Sequence, residues 1–250
     1  MSQSQLPQWL HWRETCPSTN TWAIANSASL NHGDVVFTQN QTAGRGQHGR
    51  IWHSPAGVLT TSIILDHIPV IELTTLSLTA GLAVVYAVED LLPNLQGMLQ
   101  LKWPNDVLLN KQKLAGILCE GSTNGTTSRV VVGIGLNVNV KFAQAGLKAI
   151  SLHQVSSKIP SDLQLLERLR HYLLEASSLL RLKHIKLSTF LPELSRRDAL
   201  INQSIIVELG EEKIVGVAAG ISDRGYLLLK LPNGEMRSLI SGHILFSDIA

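Results

Sequence analysis

From Leu73 to Val88 the chain runs for sixteen residues without a charged side chain. Apolar residues fall there at helical spacing and the run closes just before Pro93, which predicts a helix over Glu72–Leu92. A helix apolar on every side must be covered on nearly every side, by protein or by lipid. Its uncharged run is shorter than the roughly 20 apolar residues that span a bilayer, and Thr74, Thr75, Ser77 and Thr79 interrupt it. A buried helix in a soluble protein is the expectation. The chain has 250 residues, 44% of them hydrophobic, enough for one sizeable core and a small second domain.

The elements that would enclose this helix follow from residue pattern. Ser18-Thr19-Asn20-Thr21 supplies capping side chains for a helix over the next residues. "DVVFTQNQ", Val58–Leu65, "LQLKW", "DVLLN", "KLAGILCEG" and "RVVVGIGLNVNV" read as strands, split by Pro104-Asn105, Asn110-Lys111 and Asn124-Gly125. Ser161 and Gln164 make a capping box, and Leu166, Leu169, Leu173, Ala176 and Leu180 line one face of the helix it opens. A further helix is expected around Leu187–Leu200. Beyond Asn202 the period changes to five short strands in under fifty residues, the pattern of a small β-barrel. The boundary falls near Asp198–Gln203, which divides the chain into residues 1–200 and 201–250.

Charge and cysteine usage exclude several classes. Net charge is +2, with no basic stripe of the kind that neutralises a phosphate backbone, so DNA binding is not expected. Cys16 and Cys119 are too far apart for a zinc or disulfide framework and suit a reducing cytoplasm. The first fourteen residues lack a signal-peptide pattern, and no membrane partner is expected.

Three segments carry chemistry. "QTAGRGQHGR", Gln41–Arg50, joins three glycines to two arginines: nearly bare backbone beside two planar forks that fit carboxylate or phosphate. It matches neither a P-loop nor a dinucleotide fingerprint. An anionic ligand, a solvated turn and an RNA contact all remain open on this segment alone. In "LKWPNDVLLNKQKLAGIL", Lys102 and Lys113 offer cations, Asp106 a carboxylate beside Asn105, and Gly116 a bare wall; snorkelling lysines and an Asn-Asp turn are the plain alternative. In "VVVGIGLNVN", the two-residue period puts Asn137 and Asn139 on one face, facing a heterocycle or neighbouring backbone.

Taken in order, "STN", "QTAGRGQHGRIWHSP", "KWPNDV", "KLAGIL" and "GIGLNVN" resemble the biotin–protein ligases over most of residues 12–140. The resemblance implies an α+β fold: a catalytic domain of mixed β-sheet and helices similar to class II aminoacyl-tRNA synthetases, followed by an SH3-like barrel. It implies a monofunctional ligase that takes ATP and biotin as substrates with Mg²⁺, forms biotinyl-5′-AMP, and biotinylates a lysine on a biotin carboxyl carrier domain of acetyl-CoA carboxylase.

By the same resemblance, Ser18, Thr19, Asn20 and Gln41 hold the ureido head. Gly44, Arg45, Gly46, Gln47, Lys113 and Gly116 complete the biotin set. Arg45, Arg50, Trp52, Asn105, Lys113 and Asn137 form the adenylate set, with Arg45, Lys113, Asp106 and Lys102 carrying catalysis. No residue is singled out for the metal. One departure stands out: the usual "GRGRxGR" has arginine where this chain has Gln47. Losing that charge should speed release of the adenylate.

A lipoate or octanoate ligase or transferase, a biotin-sensing repressor and a non-catalytic nucleotide or peptide module are the rival readings. Strand edges in the catalytic domain leave a homodimer or an acceptor contact open.

Overall fold

A computed structural model describes residues 6–142, 148–182 and 189–246. A seven-stranded sheet organises the larger part, in the order β1-β2-β3-β7-β6-β5-β4. Its strands are β1 (Leu10–Cys16), β2 (Val35–Gln41), β3 (Val58–Pro69), β4 (Leu99–Lys102), β5 (Asp106–Leu109), β6 (Gln112–Asn124) and β7 (Thr127–Asn137). Only β1 and β2 pair in parallel; the remaining ladders are antiparallel. The expected mixed sheet is therefore present. The sequence reading had not placed β1, an edge strand whose middle residues are exposed and carry Arg13 and Glu14 in place of an apolar alternation.

The uncharged run forms α2 (Leu73–Leu91), with twelve buried residues. Its length and composition would suffice to cross a membrane. Here, α3 (Asp162–Arg181) lies on it, and the two pack against the sheet through β6 and β3. Gly81 lets α2 come close to β4, where a Cβ would meet Leu101 Cδ2 at 2.9 Å. Helix α1 (Thr19–Ala25) covers the opposite face, where Ala23 packs with Val36, Ile64 and Val131. Both predicted caps form. Ser18 Oγ accepts from Thr21 N, and Ser161 and Gln164 exchange side-chain and backbone bonds.

The helix expected around Leu187–Leu200 is shorter, α4 (Leu191–Arg196), and residues 187 and 188 lie outside those described. Arg197 ends it by turning inward to a buried ion pair with Glu89 at 2.7 Å. Its carbonyl then accepts from Leu101 N, so the chain runs along the free edge of β4.

The five short strands follow as expected: β8 (Ser204–Leu209), β9 (Glu212–Ile221), β10 (Leu227–Lys230), β11 (Met236–Leu239) and β12 (His243–Phe246). They form one antiparallel sheet, ordered β11-β10-β9-β8-β12. Among the described residues no ladder joins β11 to β12. This sheet shares the main core and is tied to the larger one by Trp103 Nε1, which donates to Gly225 O at 3.0 Å, and by Thr74 Oγ1 on Arg224 O.

Candidate active site

A cavity of about 500 Å³ lies between the sheet, the 44–52 loop, the turn at 103–106 and β12. One end is neutral and already hydrogen-bonded. Thr19 N donates to Gln41 Oε1 at 3.0 Å. Ser62 Oγ donates to Asn20 Oδ1 at 2.6 Å and sits 2.7 Å from Thr19 Oγ1. Asn20 Nδ2 donates to Leu118 O and Glu120 Oε2. Such buried amides and hydroxyls are costly unless partnered. Gly133 makes room for this arrangement, since a Cβ there would lie 2.4 Å from Asn20 Oδ1.

The glycine–arginine loop is a small hairpin. Gly46 N donates to Arg50 O and Trp52 N to Gly44 O, with His48 and Gly49 turning the tip at positive φ. Arg45 Nη2 reaches Glu120 Oε2 at 2.7 Å, and Arg50 Nη1 lies 2.8 Å from His243 Nδ1 on β12. The Trp52 indole lies over β6 and β7; a Cβ on Gly135 would come within 2.3 Å of its ring. Its buried Nε1 has no hydrogen-bond partner among the described residues.

The other end is cationic. Lys113 Nζ forms an ion pair with Asp106 Oδ1 at 2.6 Å and lies 5.2 Å from the Trp52 ring centre. Lys102 Nζ donates to Ile244 O at 3.2 Å. Burial lowers the Lys102 pKa, opposed by Asp106 and reinforced by Lys113, Lys148 and Arg50. Burial followed by Arg50 and Lys102 likewise lowers that of His243. Asn105 fixes the turn by donating to Ile117 O at 2.8 Å. Cations thus converge where phosphate charge would be most strongly stabilised.

Ser18, Thr19, Asn20, Gln41, Arg45, Gly46, Gln47, Arg50, Trp52, Lys102, Asn105, Asp106, Lys113 and Gly116 all line this one cavity. Gly44 and Asn137 do not. Gly44 is demanded by the base of the hairpin, where a Cβ would sit 2.4 Å from Trp52 O. Asn137 is buried behind the wall and donates to the Lys113 and Ile150 carbonyls. Nor do Asn137 and Asn139 share a face. β7 stops at Asn137 and the chain turns so that both Val138 N and Asn139 N reach Gly57 O, leaving Asn139 exposed.

The sequence reading missed Ser62, Lys111, Lys148, Glu120 and His243. Glu120 stood within a quoted strand, but only the fold brings it to Arg45. Neither cysteine is activated: burial raises Cys16, and burial followed by Glu120 pushes the Cys119 thiol up to about 12, although the residue as a whole is only partly buried.

A neutral recognition pocket opening into a cationic trough beneath an arginine-bearing flap is the layout of an enzyme that activates an acid with a nucleotide. Residues 12–137 match the model of the biotin/lipoate A/B protein ligase family, and residues 200–247 that of the biotin protein ligase C terminal domain. The chain is 36% identical over 222 residues to the biotin–[acetyl-CoA-carboxylase] ligase of Mycobacterium tuberculosis, covering 85% of this chain and 79% of that protein. It is 29% identical over 238 residues to the Escherichia coli bifunctional ligase/repressor BirA, covering 91% and 70%. The Aquifex aeolicus biotin protein ligase, solved in complex with biotin and ATP, superposes with a TM-score of 0.79 at 27% identity over 95% of this chain and 99% of that one. The chain belongs to the biotin/lipoate A/B protein ligase family and, within it, to the biotin protein ligases.

Proposed function

We propose that the cavity joins biotin to ATP and then passes the biotinyl group to a protein lysine. The observation that carries this is the continuity of the pre-bonded pocket with the cationic trough in a single cavity. The ureido head fits the Thr19, Asn20 and Gln41 end, and the valeryl carboxylate then points to Lys113. A carboxylate oxygen attacks the α-phosphorus, the bond to the β-phosphate oxygen breaks, and pyrophosphate leaves. Arg45, Arg50, Lys102 and Lys113 stabilise the charge that develops on the phosphates. The substrate lysine is about 0.04% neutral at pH 7 for a pKa near 10.4, so it needs a group to take its proton. Asp106 fills that role and orients the amine. The amine attacks the acyl carbon, an amide forms, and AMP leaves.

Asn137 serves by holding the Lys113 backbone in place, while Trp52 packs on the adenine. Among the described residues no three His, Cys, Asp or Glu come together to hold a metal. Among the described residues Asp106 is the one acidic residue lining the cavity, which suits Mg²⁺ carried in by the triphosphate and held with one carboxylate. The ion would neutralise phosphate charge.

Residues 1–200 act as the catalytic unit and 201–250 as the C-terminal one. The acceptor is a biotin carboxyl carrier domain of acetyl-CoA carboxylase in the cytoplasm, as the names of the Mycobacterium tuberculosis and Paracoccus denitrificans relatives suggest for the carboxylase. ATP–pyrophosphate exchange with biotin against lipoate tests the first step. Exchange with biotin alone is expected; exchange with lipoate alone would overturn the choice of acid. Incubation with biotin, ATP, Mg²⁺ and a carrier domain, read by intact mass, tests the second.

A further inference from the structure

The flap arginine that lines the cavity is paired with a carboxylate that does not. Arg45 Nη2 lies 2.7 Å from Glu120 Oε2, and their side chains are 45% and 25% exposed. Only one of Arg45's donors is used in this contact. The carboxylate, by contrast, is anchored. Glu120 sits on β6, and the same Oε2 accepts from Asn20 Nδ2 at 2.8 Å. Asn20 is itself locked, its Oδ1 taken by Ser62 and its amide shared with Leu118 O. The pair thus consists of a fixed post and a movable arm, and an anion inside the cavity would compete for the arm.

We propose that Glu120 is the resting-state counterion of Arg45, a positioning residue that parks the flap until the ligand's phosphate takes the guanidinium from it. This rests on the adenylating function given above. When Arg45 leaves, Glu120 keeps its bond to Asn20, so the exchange costs one partly exposed ion pair and no rearrangement of the neutral pocket. Such a pair is weak enough to be displaced by the charged phosphate oxygens of the adenylate at close range. Glu120 consequently opposes ligand retention while ordering the empty flap. Those two effects have opposite signs, whereas a residue that only supported the fold would loosen both states.

The test is Glu120→Gln, whose amide oxygen still accepts from Asn20 but carries no charge. In the ligand-free protein, trypsin should cut after Arg45 and Arg50 about two- to fivefold faster. Release of preformed biotinyl-AMP, followed on a spin column, should slow by a similar factor, with the thermal midpoint unchanged. Equal or faster release from the variant would overturn the proposal, as would an unchanged cutting rate. If Glu120→Gln is poorly folded, the wild-type flap is compared at low and high salt instead: cutting should speed up as salt screens the Arg45–Glu120 pair, and an unchanged rate would overturn the proposal. A wild-type protein that accumulates no biotinyl-AMP would instead refute the underlying function. The trypsin comparison would still report on the clasp, with inorganic pyrophosphate as the competing anion.

Discussion

The two ends of the cavity are built on different principles. At the neutral end, Thr19, Asn20, Gln41 and Ser62 are short side chains on secondary structure, bonded to one another before any ligand arrives. At the cationic end, Arg45, Arg50, Lys102 and Lys113 are long side chains resting on carboxylates, a histidine or a carbonyl. A pocket whose polar groups hold one another in place discriminates by shape, because a wrong ligand meets fixed donors and acceptors that it cannot match. A trough of long cationic side chains discriminates poorly, but it stabilises negative charge at several points along its length. Damage to the first end should therefore appear in binding and stability, and damage to the second in turnover.

The sharpest test of that division is Lys113→Ala. Loss of a cation next to the reacting phosphate should lower adenylation by about 10²–10³-fold. The Lys113–Asp106 pair is partly exposed, so the thermal midpoint should hardly move. Pyrophosphate exchange and a melt on the same sample decide the matter. A large drop in melting temperature would blur the two ends into one structural unit.

Gly133→Ala attacks the opposite end. The new Cβ would lie 2.4 Å from Asn20 Oδ1, within a site that has no slack. Overpacking of this kind costs about 1–3 kcal/mol. Titration calorimetry should show biotin affinity reduced by about tenfold or more, together with a lower melting temperature. Unchanged affinity would mean that Asn20 is not part of the recognition. A smaller effect is expected from Gln47→Arg, which restores the charge missing from the flap. Biotinyl-AMP should leave the variant about two- to tenfold more slowly, the scale of one added charge-assisted contact. Equal release rates would show that Gln47 faces away from the adenylate.

Most of the fold could be read from the chain because its signals are local. β-branched runs, the Ser161–Gln164 box and the turn dipeptides each fix their own element. β1 escaped because an edge strand with exposed charges has no pattern to display, and α4 was overdrawn because Arg197 is pulled inward by Glu89, more than a hundred residues earlier. The candidate site divides in the same way. Motif order led to the lining residues, but burial behind the wall, which removes Asn137, depends on where β7 ends. His243 is 193 residues from Arg50. Nothing in the spacing of either segment reports that they meet.

His243 also gives the finest test of how the two ends differ, since it lets the cationic end respond to pH. Its pKa is lowered by burial and then by Arg50 and Lys102, with Glu208 and Asp106 acting the other way. Between that depressed value and the ordinary histidine value of about 6.5 the unfolded chain binds more protons than the native one, so stability rises with pH across the window. Once the pH falls below that depressed value, a protonated His243 faces Arg50 and Lys102, and the hold on the flap should weaken. His243→Gln should flatten that slope only in part. His32, held on α3 by Arg181, is lowered for the same first reason, burial, and should account for the remainder. Melts of wild type and His243→Gln from pH 7.5 down to 5 would measure it. Biotin affinity at the neutral end should stay flat over the same range, because Thr19, Asn20, Gln41 and Ser62, whose hydrogen bonds shape it, have no titratable side chains. Parallel slopes for the two proteins would place the pH response outside the cavity altogether.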